Sequence, residues 1–241
     1  MRRLRSKTAY GAAALILALA LAFCACAPGQ EASRPETGPM HGSELFPDEF
    51  SQGIVRNSLT IITRRATIEG CRVSYPYVCN SNMELLNISI HSAVAEFAAD
   101  CETEGAAVSC TVEFNRYGLL SVFAVCELSD GRVINSDTLN FDCDTGRRVC
   151  LSDCFGSSDT DCFGKLTKLL AKSIEDSGYT VIGGEPVIDD STLFLFAYDG
   201  LFLVFREYEL FSYDAGAPRI KIRLASIAEN IAADGLLNRL K

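Results

Sequence analysis

The chain has 241 residues, which is enough for one or two domains. Hydrophobic residues make up 48% and charged residues 22%, and this composition excludes a disordered chain. The formal net charge is −9, from 22 Lys and Arg against 31 Asp and Glu. Nucleic acids and anionic lipids attract clustered positive charge, so the acidic balance argues against both as partners.

Residues 1–26 have the three parts of an export signal. The chain starts with four basic residues, Arg2, Arg3, Arg5 and Lys7. An apolar run at 11–23 follows, and small residues come after it. The charge bias keeps the basic end in the cytoplasm and exports the rest. Cys24 and Cys26 close the run in a context that resembles a bacterial lipoprotein signal. We predict a lipoprotein on the outer face of the cytoplasmic membrane of a bacterium; a retained membrane anchor and a released protein are the alternatives.

Residues 27–54 are rich in Pro, Gly, Ser and Glu and have no apolar period, which predicts a flexible tether. The folded body should follow as two subdomains. The first, 55–155, is predicted to combine a helix with a meander, and the second, 156–241, a helix with a hairpin.

The first subdomain is predicted to begin with strands at 58–67 and 73–78. Ser81 and Glu84 then have the spacing of a capping box, which predicts a helix over 82–100. Its apolar stripe recurs at helical spacing: Leu86, Ile90, Val94 and Phe97. Four short β-type runs separated by three hairpin turns follow, and they predict an antiparallel four-stranded meander: 106–115, 119–128, 132–143 and 147–151.

The second subdomain is predicted to begin with a helix at 160–177. A tight hairpin through Asp199 and Gly200, a strand at 219–224 and a short terminal helix complete it. The predicted class is therefore α+β: a helix packed on an antiparallel four-stranded meander, followed by a helix and a second small antiparallel sheet built on a hairpin.

A collinear set of short motifs runs through residues 58–230. Its members are Tyr75-Pro76, Leu86-Asn87-Ile88, Asn140-Phe141-Asp142, Thr145-Gly146, Leu151 to Phe155 with Asp153, Gly200-Leu201, Tyr208-Glu209, Tyr213 and Gly216. This order resembles an extracytoplasmic domain family of unknown function in Gram-positive bacteria. The family is shared by the Bacillus lysozyme-binding anti-sigma factor and the accessory region of a peptidoglycan deacetylase.

The resemblance implies a ligand-binding role, and one loop has a matching composition. It combines aromatic and acidic side chains, as protein interfaces do: Tyr208, Glu209, Phe211, Tyr213 and Asp214. The alternative is that the two tyrosines hold a long loop onto the sheet.

Nine cysteines lie beyond the leader, and export favours disulfides. The local pairs Cys71 with Cys79 and Cys101 with Cys110 are the first candidates. The odd count leaves one thiol free or paired between molecules. The alternative is that many of these cysteines are buried as small apolar residues. Four cysteines do not have the ligand spacing of zinc sites, so we expect no metal: Cys143, Cys150, Cys154 and Cys162.

We also expect no catalytic residue and no cofactor. His91 is the only histidine of the body and lies beside the apolar stripe of the first helix, and no nucleophile or phosphate-loop motif is present. Asp142, Asp144 and Asp153 could form a calcium site or a glycosidase pair, but turn formation explains Asp144 more simply.

These observations predict a non-catalytic cell-surface binding module for a cationic cell-wall hydrolase such as lysozyme, or for a wall component. The membrane would be contacted through the N-terminal lipid or anchor. Two alternatives remain open. One is an accessory or weak enzyme that acts on peptidoglycan, and the other is a structural envelope protein that dimerises through an unpaired cysteine.

Overall fold

The structure, a computed structural model, describes residues 58–101, 103–157, 161–177, 181–182, 186–206, 209–210 and 218–241. The predicted leader and tether, with Cys24 and Cys26, lie outside these residues. Within the described ranges, no helix is both long and apolar enough to cross a membrane.

The larger sheet has six strands, arranged in the order in which they occur in the chain. They are β1 (Ile61–Ile68), β2 (Cys71–Val78), β3 (Ala107–Arg116), β4 (Leu119–Glu127), β5 (Val133–Asp142) and β6 (Arg147–Arg148). Every neighbouring pair is antiparallel except β2 and β3, which run parallel. The prediction of a four-stranded antiparallel meander is therefore wrong in extent. The β1–β2 hairpin joins the sheet because the helix between β2 and β3 supplies the crossover that a parallel pair requires.

Helix α1 (Glu84–Ala99) forms this crossover. It begins two residues later than the sequence predicts, with Met83 in the N-cap position and no side-chain cap hydrogen bond. The predicted capping box is wrong because Asn82 has a φ of 61°, which places a left-handed turn between Ser81 and the helix. The predicted apolar stripe is confirmed as the buried face of α1, and it packs on the inner side of the large sheet.

The second sheet has three antiparallel strands, β7 (Phe194–Ala197), β8 (Gly200–Val204) and β9 (Arg219–Arg223). The predicted hairpin is confirmed: at Gly200, which has a φ of 148°, any Cβ would collide with the carbonyl oxygen of Ile222. The C-terminal half of the chain also contains three helices, α2 (Leu151–Phe155), α3 (Cys162–Ser177) and α4 (Leu224–Ile227). Two 3-10 turns follow α4, at Ala228–Asn230 and Leu236–Leu240.

The two sheets meet at three buried polar side chains of the large sheet, Ser121, Thr138 and Asn140, which we call the polar seam. The free edge of β7 bonds to them instead of to another strand. Thr138 accepts the Phe194 N–H at 3.1 Å, and Asn140 donates to the Phe194 carbonyl at 2.7 Å. Ser121 accepts the Phe196 N–H at 2.9 Å and donates to Asn140 at 2.6 Å. The seam thus satisfies backbone groups that would otherwise be buried without partners.

Candidate functional site

The turn after β5 is organised around the carboxylate of Asp142, which is only 7% exposed. Its Oδ1 accepts a hydrogen bond from Arg239 at 2.7 Å and from the backbone N–H of Asp144 at 3.1 Å. Its Oδ2 accepts the hydroxyl of Thr145 at 3.0 Å. Burial favours the neutral acid, but these hydrogen bonds outweigh it and lower the pKa of Asp142. The side chain is therefore a permanent anion at neutral pH.

Gly146 lets this turn approach the start of α1. Its φ is +70°, and a Cβ there would lie 2.9 Å from the backbone nitrogen of Leu86 and 3.0 Å from Cβ of Leu85. A side chain would push the turn away from the helix. The Thr-Gly motif is thus explained by backbone packing.

Asp153 forms the start of α2. It accepts the backbone N–H of Cys150 at 3.0 Å, and the two residues form a reciprocal capping box. Asp190, from the segment before β7, accepts the N–H of Ser152 at 2.8 Å. Phe155, at the end of α2, is 1% exposed and belongs to the core. Two carboxylates from distant segments therefore meet at one short helix.

These elements enclose an open polar cleft of about 320 Å³, which we call the first cleft. Its lining residues include Asp142, Thr145, Arg147, Arg148, Ser152, Asp153, Ser157 and Asp234. Asp234 accepts the Ser157 hydroxyl at 2.6 Å and the Ser157 N–H at 3.0 Å, and these hydrogen bonds lower the pKa of Asp234. Two of the carboxylates in this cleft are thus held in the ionised form.

A second cleft of about 420 Å³ shares Arg148 and Val149 with the first. Its polar lining includes Asp137, Asn140, Cys150, Asp190, Thr192 and Arg206. Arg148 pairs with Asp137 at 3.3 Å and with Glu96 of α1 at 3.5 Å. The guanidinium of Arg206 donates to the carbonyl of Ser136 at 2.9 Å. We call the two together the double cleft.

The structure brings some of the predicted motif residues together and separates others. Asp142 and Asp153 both line the first cleft, whereas Gly146 and Phe155 do not line it. Asn87 lies on α1, where its amide accepts the N–H of Val78 at 2.8 Å and donates to the carbonyl of Val78 at 2.9 Å.

Tyr75 is buried in β2 and contacts His91 edge to face, with ring centroids 5.8 Å apart. Pro76 follows it, beyond the residues of β2 that pair with β3. A proline there costs the parallel ladder no donor. These residues, like Gly200 in its hairpin, have structural roles in the fold.

Most of the predicted ligand loop lies outside the described residues, including Tyr208, Phe211, Tyr213 and Asp214. The motif residue Gly216 also lies outside them. Glu209 is described and accepts the backbone N–H of Arg206 at 2.8 Å. The loop therefore starts beside the second cleft, since Arg206 lines that cleft.

The predicted disulfide between Cys71 and Cys79 is wrong. Cys71 is the first residue of β2 and Cys79 follows its last residue, so the two are separated by roughly 26 Å at 3.3 Å per residue. Cys101 and Cys110 are not joined in the structure, and this pairing stays a prediction. Cys101 belongs to the same hydrophobic cluster as Cys126.

Sequence reasoning missed Arg147, Arg148, Asp190 and Asp234 as site residues. The last two reach the clefts from segments far along the chain, so no local pattern marks them. The arginine pair directly after the Thr145-Gly146 turn was the available signal, because that turn places Arg147 opposite Asp142 and Arg148 opposite Phe141. Within the described residues, no group of three His, Cys, Asp or Glu could hold a metal ion.

The fold is similar to two solved structures. One is a member of the DUF3298 family from Bacteroides fragilis, with a TM-score of 0.52, 16% identity, and coverage of 80% of this chain and 99% of that chain. The other is a DUF3298 family protein from Pseudomonas aeruginosa, with a TM-score of 0.50, 12% identity, and coverage of 74% of this chain and 96% of that chain. No family model and no curated protein matches this sequence. At these identities the likeness shows the fold alone, and that fold is one found in a domain family of unknown function.

Proposed function

We propose that the chain is a non-catalytic binding module on the outer face of the cytoplasmic membrane of a bacterium, anchored through a lipid on Cys26 or Cys24. Its ligand is a cationic cell-wall hydrolase of the lysozyme type. The kinship with the anti-sigma factor and deacetylase domains is part of this proposal, and the DUF3298-like fold is compatible with it.

One observation carries the proposal: the double cleft presents carboxylates that hydrogen bonds hold ionised. Asp142 and Asp234 have lowered pKa values, and backbone N–H groups orient Asp153 and Asp190. With lowered pKa values, Asp142 and Asp234 are poor proton donors at neutral pH, because a general acid works best with a pKa near the working pH. They are well suited to receive Lys and Arg side chains, and fixed anions also speed the approach of a cationic partner.

The test measures binding of a cationic lysozyme to the full chain, purified in mild detergent, at 50 mM and 500 mM salt. We expect binding at low salt and a Kd about tenfold weaker at high salt, because salt screens the rim charges. The variant Asp153→Asn/Asp190→Asn/Asp234→Asn should weaken low-salt binding about tenfold. Asparagine keeps one acceptor oxygen at each position, so the local hydrogen bonds can persist.

The matched control removes three exposed acids that do not line the double cleft, through Glu104→Gln/Glu127→Gln/Asp130→Asn. It has the same net charge as the cleft variant. We expect its Kd to stay within about threefold of the parent value, since screened charges far from a contact contribute little. Equal losses in the two variants would show attraction by net charge alone, and no binding at low salt would reject the proposal.

A second candidate function, weak hydrolysis of peptidoglycan, is favoured by one observation: Asp142 and Asp153 line the same cleft. Digestion of purified cell walls by the parent chain, lost in Asp142→Asn and Asp153→Asn, would support it. The saturated hydrogen bonding of Asp142 favours binding over catalysis.

The third candidate, dimerisation through a cysteine, has two exposed thiols available among the described residues, Cys79 and Cys150. A non-reducing gel of the full chain distinguishes it, because a disulfide-linked dimer would disappear on reduction and in the Cys79→Ser or Cys150→Ser variant.

A further inference from the structure

One edge of the large sheet is formed by β1, which pairs with β2 and with no other strand among the described residues. The β1–β2 hairpin shows which backbone groups of β1 point outward. Ile68 is opposite Cys71 across a two-residue turn, Glu69-Gly70, in which the φ angles are 48° and 78°. The residues that flank such a turn form a hydrogen-bonded pair, and these pairs alternate along an antiparallel ladder. Even-numbered residues of β1 therefore bond to β2, and odd-numbered residues point outward.

A contact just before the strand agrees with this alternation. The backbone carbonyl of Thr60, in line with the even-numbered residues, accepts the N–H of Cys79 at 2.8 Å. No described strand lies beside the outward-pointing N–H and C=O groups of the odd-numbered residues. Such a row of unpaired groups is a template for one more strand. Here it is formed by Ile61, Thr63, Arg65 and Thr67.

Three arginines surround this edge, Arg64 and Arg65 on β1 and Arg72 on β2. All three are exposed, and none forms an ion pair with a described residue. None of them lines the double cleft. The guanidinium carbon of Arg64 lies 3.3 Å from the centroid of the Tyr77 ring, and this stacking holds the charge at the edge. A chain with a net charge of −9 thus has a site of uncompensated positive charge beside a free strand edge.

The arginines flank the edge on both faces of the sheet. Arg64 is opposite Tyr75, on the face that α1 covers. Arg65 is opposite Ser74, so it lies on the other face, diagonal to Arg72 on the neighbouring strand. Arg65 and Arg72 line an open concavity of about 550 Å³ together with small side chains of β2 and β3. A strand added to β1 would therefore meet a guanidinium group on each of its two faces.

The charge pattern opposes pairing of β1 with β1 of a second copy of the chain. In an antiparallel pair of these strands, residues that point outward must be opposite one another. The registers centred on the middle of the strand then place either Arg64 opposite Arg64 of the other copy or Arg65 opposite Arg65 of the other copy. Like charges directly opposite each other destabilise a sheet, whereas an acidic strand is attracted.

We propose that the outer edge of β1 binds an extended acidic segment of another protein, which adds to the large sheet as an antiparallel seventh strand. Two consecutive acidic residues of this segment lie opposite Arg65 and Arg64. An apolar residue two positions after them lies opposite Ile62, which is 48% exposed. The main-chain hydrogen bonds provide affinity, and the side chains on alternate faces provide specificity. The antiparallel direction is preferred because parallel pairing is slightly less stable per residue.

The test uses a capped fluorescent peptide, Thr-Thr-Val-Glu-Glu-Thr-Val-Thr, and the full chain in mild detergent. Its glutamates, at peptide positions 4 and 5, are those placed opposite Arg65 and Arg64. Fluorescence anisotropy at 50 mM salt measures the Kd. We expect saturable binding, and a Kd about tenfold weaker or more for the charge-reversed peptide Thr-Thr-Val-Lys-Lys-Thr-Val-Thr, because its lysines face the arginines.

Backbone methylation of the peptide distinguishes strand addition from attraction by charge alone. In the antiparallel register, the N–H groups of peptide positions 4 and 6 point toward β1, and those of positions 3 and 5 point away. N-methylation at positions 4 and 6 should weaken binding about tenfold or more, because it removes two hydrogen bonds and places methyl groups against β1. N-methylation at positions 3 and 5 should change the Kd by less than about threefold, since those groups bond only to water.

Two variants of the chain locate the binding site. Arg64→Gln/Arg65→Gln should weaken binding of the acidic peptide about fivefold, through the loss of two exposed charge pairs. The matched control, Lys168→Gln/Lys172→Gln, removes two exposed lysines of α3 and gives the same net charge. Its Kd should stay within about twofold of the parent value, since screened charges far from a contact contribute little.

Three results would each overturn the proposal: no binding of the acidic peptide, equal losses in the two methylated peptides, or equal losses in the two variants. Analytical ultracentrifugation tests the second copy as occupant, and we expect the chain not to self-associate. A dimer that is lost in Thr63→Pro, which removes one outward-pointing N–H of β1, would also overturn the proposal. None of these measurements involves lysozyme, so their outcome is independent of the proposed function.

Discussion

The structure has two large hydrophobic clusters, a first beneath α1 and a second around α2 and α3. They differ in how far apart their residues lie in the sequence. The first uses residues between Ile68 and Cys143, mostly from adjacent strands and the helix that connects two of them. The second uses residues from Phe114 to Leu237, from both sheets, three helices and the C-terminal turns. The polar seam and the ion pair between Arg239 and Asp142 join the two regions.

This difference shows how the double cleft is held open. Its lining includes residues of β5, a strand that contributes Leu139 and Phe141 to the first cluster. It also includes Asp190 and Asp234, which lie in segments that contribute Ile188 and Leu237 to the second. Closing long loops costs more chain entropy than joining neighbours does, so the rim depends on the contacts between the two regions. Five substitutions test the two regions and the coupling between them.

The largest effects should come from truncating one fully buried residue in each cluster. Ile90→Ala in the first and Leu201→Ala in the second should each lower the free energy of unfolding by about 2–5 kcal/mol, through lost burial and the cavity left behind. Urea unfolding followed by circular dichroism measures both. We expect one transition in each variant. A two-step transition in Leu201→Ala alone would show that the second region unfolds independently.

The seam should give the next largest effect. Asn140→Leu removes the donor to the Phe194 carbonyl and the acceptor for Ser121, leaving two buried polar groups without partners. We expect a loss of about 2–4 kcal/mol in urea unfolding. Asn135→Ala, on the same strand, is the control, since its side chain bonds to the adjacent Ser136 N–H. A loss in Asn140→Leu no greater than in this control would mean that the seam does not couple the sheets.

The ion pair between the regions should make stability depend on pH. The pKa of Asp142 is lower in the folded state than the value of about 3.9 for an unfolded aspartate. Its contribution is therefore fully present above about pH 5 and is lost as the pH falls through 4 toward the folded-state pKa. Asp142→Asn should cost about 1–3 kcal/mol at pH 7 and progressively less below pH 4.

Urea unfolding at pH 3 to 7 compares Asp142→Asn with the parent chain. Glu175→Gln, at an exposed position of α3, is the control and should follow the parent at every pH. A constant difference between parent and Asp142→Asn across this range would contradict the assigned role of the carboxylate.

The smallest effect should come from within the first region. Asn87→Ala removes both hydrogen bonds that hold α1 to the end of β2, and we expect a loss of about 1–2 kcal/mol. Asn80→Ala removes one exposed hydrogen bond to the Thr60 N–H and should cost less than 1 kcal/mol, or about half as much. Thermal unfolding compares the two, and equal losses would contradict the bracing role of the Asn87 amide.

The sequence by itself determined the elements whose contacts are local. Side-chain period and turn chemistry act over a few residues. They were enough to predict the apolar stripe of α1, the Asp199-Gly200 hairpin and the strand that follows this hairpin. The aspartates and the glycine of the motif run were also visible in the sequence, although their hydrogen-bond partners were not.

Only the tertiary structure decided which strands are neighbours, which cysteines share a hydrophobic cluster and what lines the clefts. The parallel pairing of β2 with β3 depends on the path of α1 across the sheet, and it brings Cys71 to nearly the same level of the sheet as Cys126. Asp190 and Asp234 reach the clefts through loop closures of tens of residues. The periodicity of apolar residues predicts which face of a helix or strand is buried. It does not predict which segment covers that face, because this depends on how distant segments pack together.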